Sequence, residues 1–299
     1  LGKLDDVIGT TVDAEVAILF DWENRWAIEG AAGPRGEKRD YVETCQSHYR
    51  AFWKRGVPVD VLREEEDFSK YKLLIAPMLY MVKPGVAERI EAFVRAGGVF
   101  VATYWSGIAD EHDLCFLGGF PGPLRKLLGI WSEELDVLYD GDRNTVVPAN
   151  EENRWGLRGE YEARIFCDLI HAEGAEVLAT YGRDFYAGRP ALTVNACGEG
   201  EAYYVASRND ERFLDDFYGG LMIDIGLARA LEPELPEGVT AQIRADGGRA
   251  LVFLLNFRRE ARTVDLGEAR FRNRVDGGEV SGAVELAGYG SMVLERMNG

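Results

Sequence analysis

Cysteine, histidine and lysine are scarce in this sequence, and each scarcity removes a class of chemistry. The 299 residues include four cysteines, Cys45, Cys115, Cys167 and Cys197. They lie far apart and form no C-x-x-C pair, so neither a metal site nor a disulfide scaffold is indicated, and the expected compartment is a reducing one, the cytoplasm. Three histidines, His48, His112 and His171, leave few bases to activate a nucleophile. Basic residues number 34 against 51 acidic ones, a formal charge of −17 that would repel nucleic acid and anionic membrane surfaces. Only seven of the basic residues are lysines, a skew attributed to genome base composition rather than to a binding site. No apolar run approaches the roughly 18 residues that a membrane span needs. The opening "LGKLDDVIGT" has neither an initiator methionine nor a signal-peptide pattern, so the chain is expected to begin inside a longer polypeptide.

The residues that are present describe two domains, as the length suggests, since single cores stop growing near about 250 to 300 residues. "AEVAILFD" (14–21), "VPVDVL" (57–62), "YKLLIAPML" (71–79) and "VFVATYW" (99–105) are short apolar runs of the kind that form buried parallel strands. Between the first two, Tyr41, Cys45, His48, Tyr49, Phe52 and Trp53 recur at helical spacing, with Gly56 as a stop. After the third, Val86, Ile90, Phe93 and Val94 form another helical stripe, with Pro84 before it and Gly97-Gly98 after it. This alternation predicts an open, doubly wound α/β sheet.

Residues 106 to 160 are rich in glycine, proline and acid and carry one predicted short helix near Leu124–Leu128. "AEVLATYG" and "RPALTVNACGEGEAYYVASR" predict strands that extend the sheet, the second folded at Gly198-Glu199-Gly200. A closing helix is expected over 211–231, weakened by Gly219-Gly220. From Val239 the period becomes two, which predicts a small antiparallel β domain over 239–299, joined to a first domain of residues 1–230 by the linker-like 231–238, "LEPELPEG".

Ligands of a doubly wound sheet sit beyond the carboxyl ends of its strands, so the segments to inspect are "DWENRWAIEG", "REEEDF", "PMLYMVKPG" and "TYWSGIADE". No G-x-G-x-x-G and no phosphate-binding G-x-x-x-x-G-K-[ST] is present, so no cofactor is expected. The turn at 103–107 is Thr-Tyr-Trp-Ser-Gly, not G-x-S-x-G, and Tyr104 and Trp105 read as too bulky for a strained nucleophile turn. Ser106 with His112 is the one nucleophile-base pair to consider, against capping and turn roles. Glu64-Glu65-Glu66-Asp67 reads as a solvated loop and Asp110, Glu111 and Asp113 as a helix start. Trp22, Trp26 and Trp105 fall at strand ends and, with Arg25, are candidates for an interface, with core packing as the competing reading of each aromatic.

Seven separated stretches carry a family resemblance: "AEVAILFDWENRWAIE", "YKLLIAPMLYMV", "VRAGGVFVATYWSGIADEHDL", "GGFPGPLRKLLGIWSEELD", "GRPALTVNACGEGEAYYV", "VFLLNF" and "GYGSMVL". In order and over nearly the whole chain they resemble the carboxyl-terminal part of family 42 glycoside hydrolases, which are β-galactosidases. The resemblance implies a flavodoxin-like domain, similar to class I glutamine amidotransferases, that builds a homotrimer, followed by a small all-β antiparallel domain. It also implies that both catalytic glutamates lie in a (β/α)8 barrel preceding this chain, with residues 1–10 as the tail of the connection. On that reading the chain holds no catalytic, cofactor or metal residue and hydrolyses nothing alone. The parent enzyme cleaves terminal β-D-galactosides with retention, and the chain serves trimer assembly and helps shape the cleft. A carbohydrate-binding module and a stand-alone amidotransferase-like enzyme are the alternatives.

Overall fold

A computed structural model describes residue 5, residues 7–31 and residues 39–297. The described chain divides into two compact units. One draws on residues 16–48 and 60–226, and the other on residues 1–15, 49–59 and 227–299. The expected connection from a preceding barrel, residues 1–10, falls partly outside the described residues.

From residue 16 the chain runs β1 (Val16–Leu19), α1 (Trp22–Gly30), α2 (Tyr41–Trp53), β2 (Val59–Leu62), β3 (Leu73–Ala76), α3 (Val86–Arg95) and β4 (Val99–Thr103). A helical turn at Gly122–Leu124 leads into α4 (Arg125–Leu128), where the short helix was expected. There follow β5 (Ile130–Val137), β6 (Asn144–Pro148), β7 (Tyr161–Ala172), β8 (Glu176–Tyr181), β9 (Pro190–Cys197), β10 (Gly200–Val205), β11 (Ser207–Asn209) and α5 (Glu211–Asp224). All eleven strands join one mixed sheet in the order β11-β7-β6-β8-β9-β10-β4-β3-β1-β2, with β5 paired to β7.

Direction divides that sheet. β1, β3, β4 and β10 pair in parallel, and every residue of β1, β3 and β4 is buried, because a parallel sheet is covered on both faces. The helices behave as the stripes predict: Val86, Ile90, Phe93 and Val94 of α3 are all buried. From β5 onward the pairing is antiparallel except where β10 returns beside β4. Strands β5 and β6 occupy a stretch, residues 106 to 160, in which the sequence predicted only one short helix. In β5 only Ile130 and Ser132 are buried while Glu133 and Glu134 are exposed, and polar interruptions such as "SEELD" hide the strand pattern.

Helix α1 is a second departure. "WENRW" carries too few apolar residues for a helical stripe, but Asp21 caps it, accepting from the backbone N–H groups of Glu23 and Asn24. The closing helix ends at Asp224, earlier than expected, and Gly219-Gly220 lies within it, with Gly220 against the Trp155 backbone, where a side chain would collide.

The smaller unit contains β12 (Val239–Asp246), β13 (Arg249–Asn256), β14 (Arg262–Asp265), β15 (Phe271–Asn273), β16 (Glu279–Val280), β17 (Ala283–Leu286) and β18 (Ser291–Arg296). They form a five-stranded sheet, β12-β13-β18-β15-β16, and a two-stranded one, β14-β17, with antiparallel pairing throughout. Its core includes Val252, Leu254, Val264, Phe271 and Leu294. Leu231 is buried in the same core and Leu235 packs on it.

Candidate functional site at the carboxyl edge of the parallel strands

The chain leaves β1 towards β2 on one side and returns to β3 on the other, so the crevice beyond β1 and β3 is the topological switch point at which ligands collect in open α/β sheets. Four exits meet this edge, and they divide into a charged pocket and an aromatic one.

The charged pocket gathers the exits of β1, β2 and β3. Lys83, seven residues past β3, is largely buried, its side chain 13 % exposed. Its Nζ lies 3.2 Å from Asp21, 2.7 Å from Glu23, 3.2 Å from Glu64 and 2.7 Å from Glu65. One ammonium therefore serves four carboxylates. Glu64 is not part of a solvated loop, as its sequence context suggested: its side chain is 0 % exposed, while Glu65 beside it is half-exposed. Burial pushes the Glu64 carboxyl up to about 7 in spite of Lys83. The hydrogen bond from Lys83 holds Glu65 below its usual value. Desolvation opposes the charge on Lys83, but its bonds to Glu23 and Glu65 and the charge of Glu64 outweigh it and raise its proton affinity. Asn24, fully buried, fixes the geometry from α1 by donating to the Met78 carbonyl at 3.0 Å and accepting from the Met81 N–H at 2.8 Å.

The aromatic pocket lies beyond β4. Trp105 has φ 57° and so adopts the left-handed conformation that the sequence reading judged too strained for so bulky a residue. The turn is accommodated from both sides. The Trp105 N–H donates to Asp168 at 3.0 Å, and Gly107, at φ 63°, passes so close to the Pro121 carbonyl that a Cβ would collide with it. The Trp105 ring stacks on Phe166 at 5.5 Å and meets Tyr80 edge-on at 5.2 Å. Met78 (φ 45°) and the β-branched Ile165 (φ 61°) belong to the same cluster. Such conformations persist only where the surroundings over-determine them. Asp168, buried, also accepts from the Tyr204 hydroxyl at 2.5 Å, and desolvation raises its carboxyl to about 6 against the pull of both donors.

Ser106 is not poised for attack. It is fully buried, its hydroxyl donating to the Thr103 carbonyl at 2.7 Å and accepting from the Leu79 N–H at 3.0 Å. His112 is exposed beside Glu111, and the acidic residues around it cap a turn instead of a helix, Asp110 accepting from the N–H groups of His112 and Leu114. His48 is buried against the Tyr218 hydroxyl, and His171 pairs with Glu133. No histidine is brought to Ser106.

The sequence-derived interface residues separate. Trp22 and Trp26 are 52 % and 60 % exposed, one turn apart on α1 with ring centroids 6.3 Å apart, and the Arg25 guanidinium lies 5.1 Å from the Trp22 ring centre. Trp105 is 6 % exposed and belongs to the core beneath, in the same cluster as Ala27 and Ile28 on the buried face of α1. Lys83 escaped the sequence reading, although "VKPG" at a strand exit opposite "REEE" was a visible signal.

Comparison with known proteins agrees with this architecture. Residues 14–228 match the model of the β-galactosidase trimerisation domain and residues 238–296 that of the β-galactosidase C-terminal domain. β-Galactosidase Pbg of Clostridium perfringens is 57 % identical over 99 % of the chain, and BglY of Alicyclobacillus acidocaldarius 53 % identical over 99 %. The crystal structure of the β-galactosidase from Rahnella sp. R3 superposes with a TM-score of 0.95 at 51 % identity, over 99 % of this chain and 43 % of that one. The chain spans 43 % of the length of each of these curated relatives.

Proposed function

The chain belongs to the family 42 β-galactosidases, and from that premise we propose that it is the assembly region of an enzyme that hydrolyses terminal β-D-galactosides with retention. The observation that carries the reading is the match of 14–228 to a trimerisation domain, joined to a β4 exit filled by buried aromatics where such a sheet would present reactive groups. On this reading both catalytic carboxylates lie in a barrel outside these residues, β-galactoside is met there, and neither nucleic acid nor membrane is a partner.

The strand order β2-β1-β3-β4-β10, with β1, β3, β4 and β10 paired in parallel, supports a flavodoxin-like classification, with β5 to β9 as an antiparallel insertion before the last parallel strand. The domain division proposed is residues 1–230 for assembly, 231–238 as connection and 239–299 as the small β domain. The free thiols of Cys45, Cys115, Cys167 and Cys197 support a cytoplasmic location. Assembly is into a homotrimer, and Trp22, Arg25 and Trp26 contribute its contact surface, since aromatic and arginine side chains are enriched at the centres of such interfaces. Trp105 supports that surface from beneath, through the shared core.

Light scattering at moderate salt, with a chromogenic galactoside assay on the same sample, tests the proposal. The expected result is a threefold species without turnover. A strictly monomeric chain at high concentration overturns the assembly role, and turnover lost on changing Ser106 or His112 overturns the non-catalytic one.

A further inference from the structure

Independently of that reading, we propose that Asp21, Glu64 and Glu65 form a site for one hard divalent cation, calcium or magnesium, held beside Lys83 at the switch point of the sheet. One oxygen from each of the three carboxylates lies within 4.8 Å of the others. Ligands on opposite sides of a calcium ion stand about 4.6 to 5.2 Å apart, so these oxygens fit around a single ion. An all-carboxylate set without histidine or cysteine selects a hard cation over a transition metal.

The cluster alone would carry little weight, since acidic groups crowd a chain of this charge. Glu64 supplies the second observation. Its side chain is wholly buried, and neither oxygen has a hydrogen-bond partner among the described residues, although Oε1 is 3.2 Å from Lys83 Nζ. A buried carboxylate in that state is costly unless a cation or a proton completes it. Lys83 does not complete it alone, because its single charge is shared among Asp21, Glu23, Glu64 and Glu65.

The groups around the pocket fit this role. Asp21 uses Oδ1 for the α1 cap, so its other oxygen, now 3.2 Å from Lys83, is the one available to an ion. Glu65 is 47 % exposed, which gives the ion an entry path and room for the waters that calcium and magnesium retain. Lys83 also has a partner outside the three proposed ligands, Glu23 at 2.7 Å.

The test is isothermal titration of the chelator-treated chain with calcium chloride and, separately, magnesium chloride, beside the variants Glu64→Gln and Glu65→Gln. The expected result is one ion bound per chain, weakened at least about tenfold in each variant, with a metal-dependent rise in melting temperature that the variants lack. Glu65 is half-exposed, so Glu65→Gln carries the test if Glu64→Gln fails to fold. No saturable binding up to about 10 mM of either ion, the weak end of biological calcium sites, overturns the proposal. So does equal binding by the parent chain and a folded variant.

Discussion

The aromatic exit of β4 and the charged exits of β1 to β3 lie on one edge of one sheet, yet they solve opposite problems. Around the β4 exit the strain is in the backbone: Trp105 beyond β4, Met78 beyond β3 and Ile165 within β7 hold left-handed conformations while their side chains pack in a single apolar cluster. Around Lys83 the strain is electrostatic, four carboxylates around one ammonium, beside the ordinary Asp21 cap of α1. The first arrangement closes the position at which such sheets often place a reactive group. The second leaves the switch point polar and partly open. Packing stores strain where nothing has to enter, and charge is kept where something can.

Trp105→Ala should produce the largest effect. Removing a buried tryptophan costs about 3 to 5 kcal/mol, and urea denaturation should report most of that. Trp105→Gly sharpens the result, because glycine adopts φ 57° without the penalty of about 1 to 2 kcal/mol that a Cβ incurs. Its lower intrinsic stability in the folded chain offsets part of this gain, so glycine should be no more damaging than alanine. A glycine variant clearly less stable than the alanine one would mean that the turn is not strained. On the charged side, Lys83→Met should cost about 2 to 3 kcal/mol, less than a fully buried pair would. Glu64 is already close to accepting a proton, and Asp21 keeps its two backbone donors. A neutral outcome would show that Lys83 is not what holds the three exits together.

The sequence exposed the aromatic half of this comparison more readily than the charged half. Fully buried strands announce themselves as apolar runs, and β1, β3 and β4 lie within the stretches read as strands. Stripes such as Val86-Ile90-Phe93-Val94 are equally local. Glu64 looked solvated because nothing in "REEED" indicates that one carboxylate turns inward, and its partner Lys83 lies beyond the whole of β3. β5 and β6 were hidden for a related reason, since half-exposed antiparallel strands alternate imperfectly, and β5 carries an irregularity, the register shift between Ser132 and Glu134. α1 depends on a single cap and on apolar residues at Ala27 and Ile28, too few to produce a period. The conformation of Trp105 could not be read locally either, since Asp168, Gly107 and Phe166 impose it from three separate segments.

Asp168 gives the aromatic exit a pH signature. Its carboxyl is raised from 3.8 to about 6 in the folded chain, so between those values the native state holds a proton that the unfolded state has released. Stability from this group is therefore full below about pH 3.8 and is lost as pH rises through 6, with a slope of at most about 1.4 kcal/mol per pH unit. Asp168→Asn, which cannot titrate yet keeps an oxygen for the Trp105 N–H or the Tyr204 hydroxyl, should flatten the stability profile across that window. An unchanged profile would show that Asp168 titrates normally and that its burial is relieved by motion or water.

The smallest effect on stability belongs to Trp26→Ala, and its value lies in that smallness. Trp26 shares a helix with Ala27 and Ile28, whose buried faces belong to the Trp105 cluster, yet its own ring is 60 % exposed. An exposed side chain outside any cap or ion pair typically changes stability by no more than about 0.5 kcal/mol. The Trp22 ring, 6.3 Å away with Arg25 over it, retains its own contacts. If Trp26 serves only as surface, the variant unfolds and associates like the parent. If the exposed face of α1 is a contact between copies, the unfolding free energy measured on dilute protein stays within that range while light scattering shows dissociation at concentrations where the parent stays assembled. A large loss of stability in the dilute variant would contradict both, because it would move Trp26 from the surface into the core and erase the distinction between the two faces of α1.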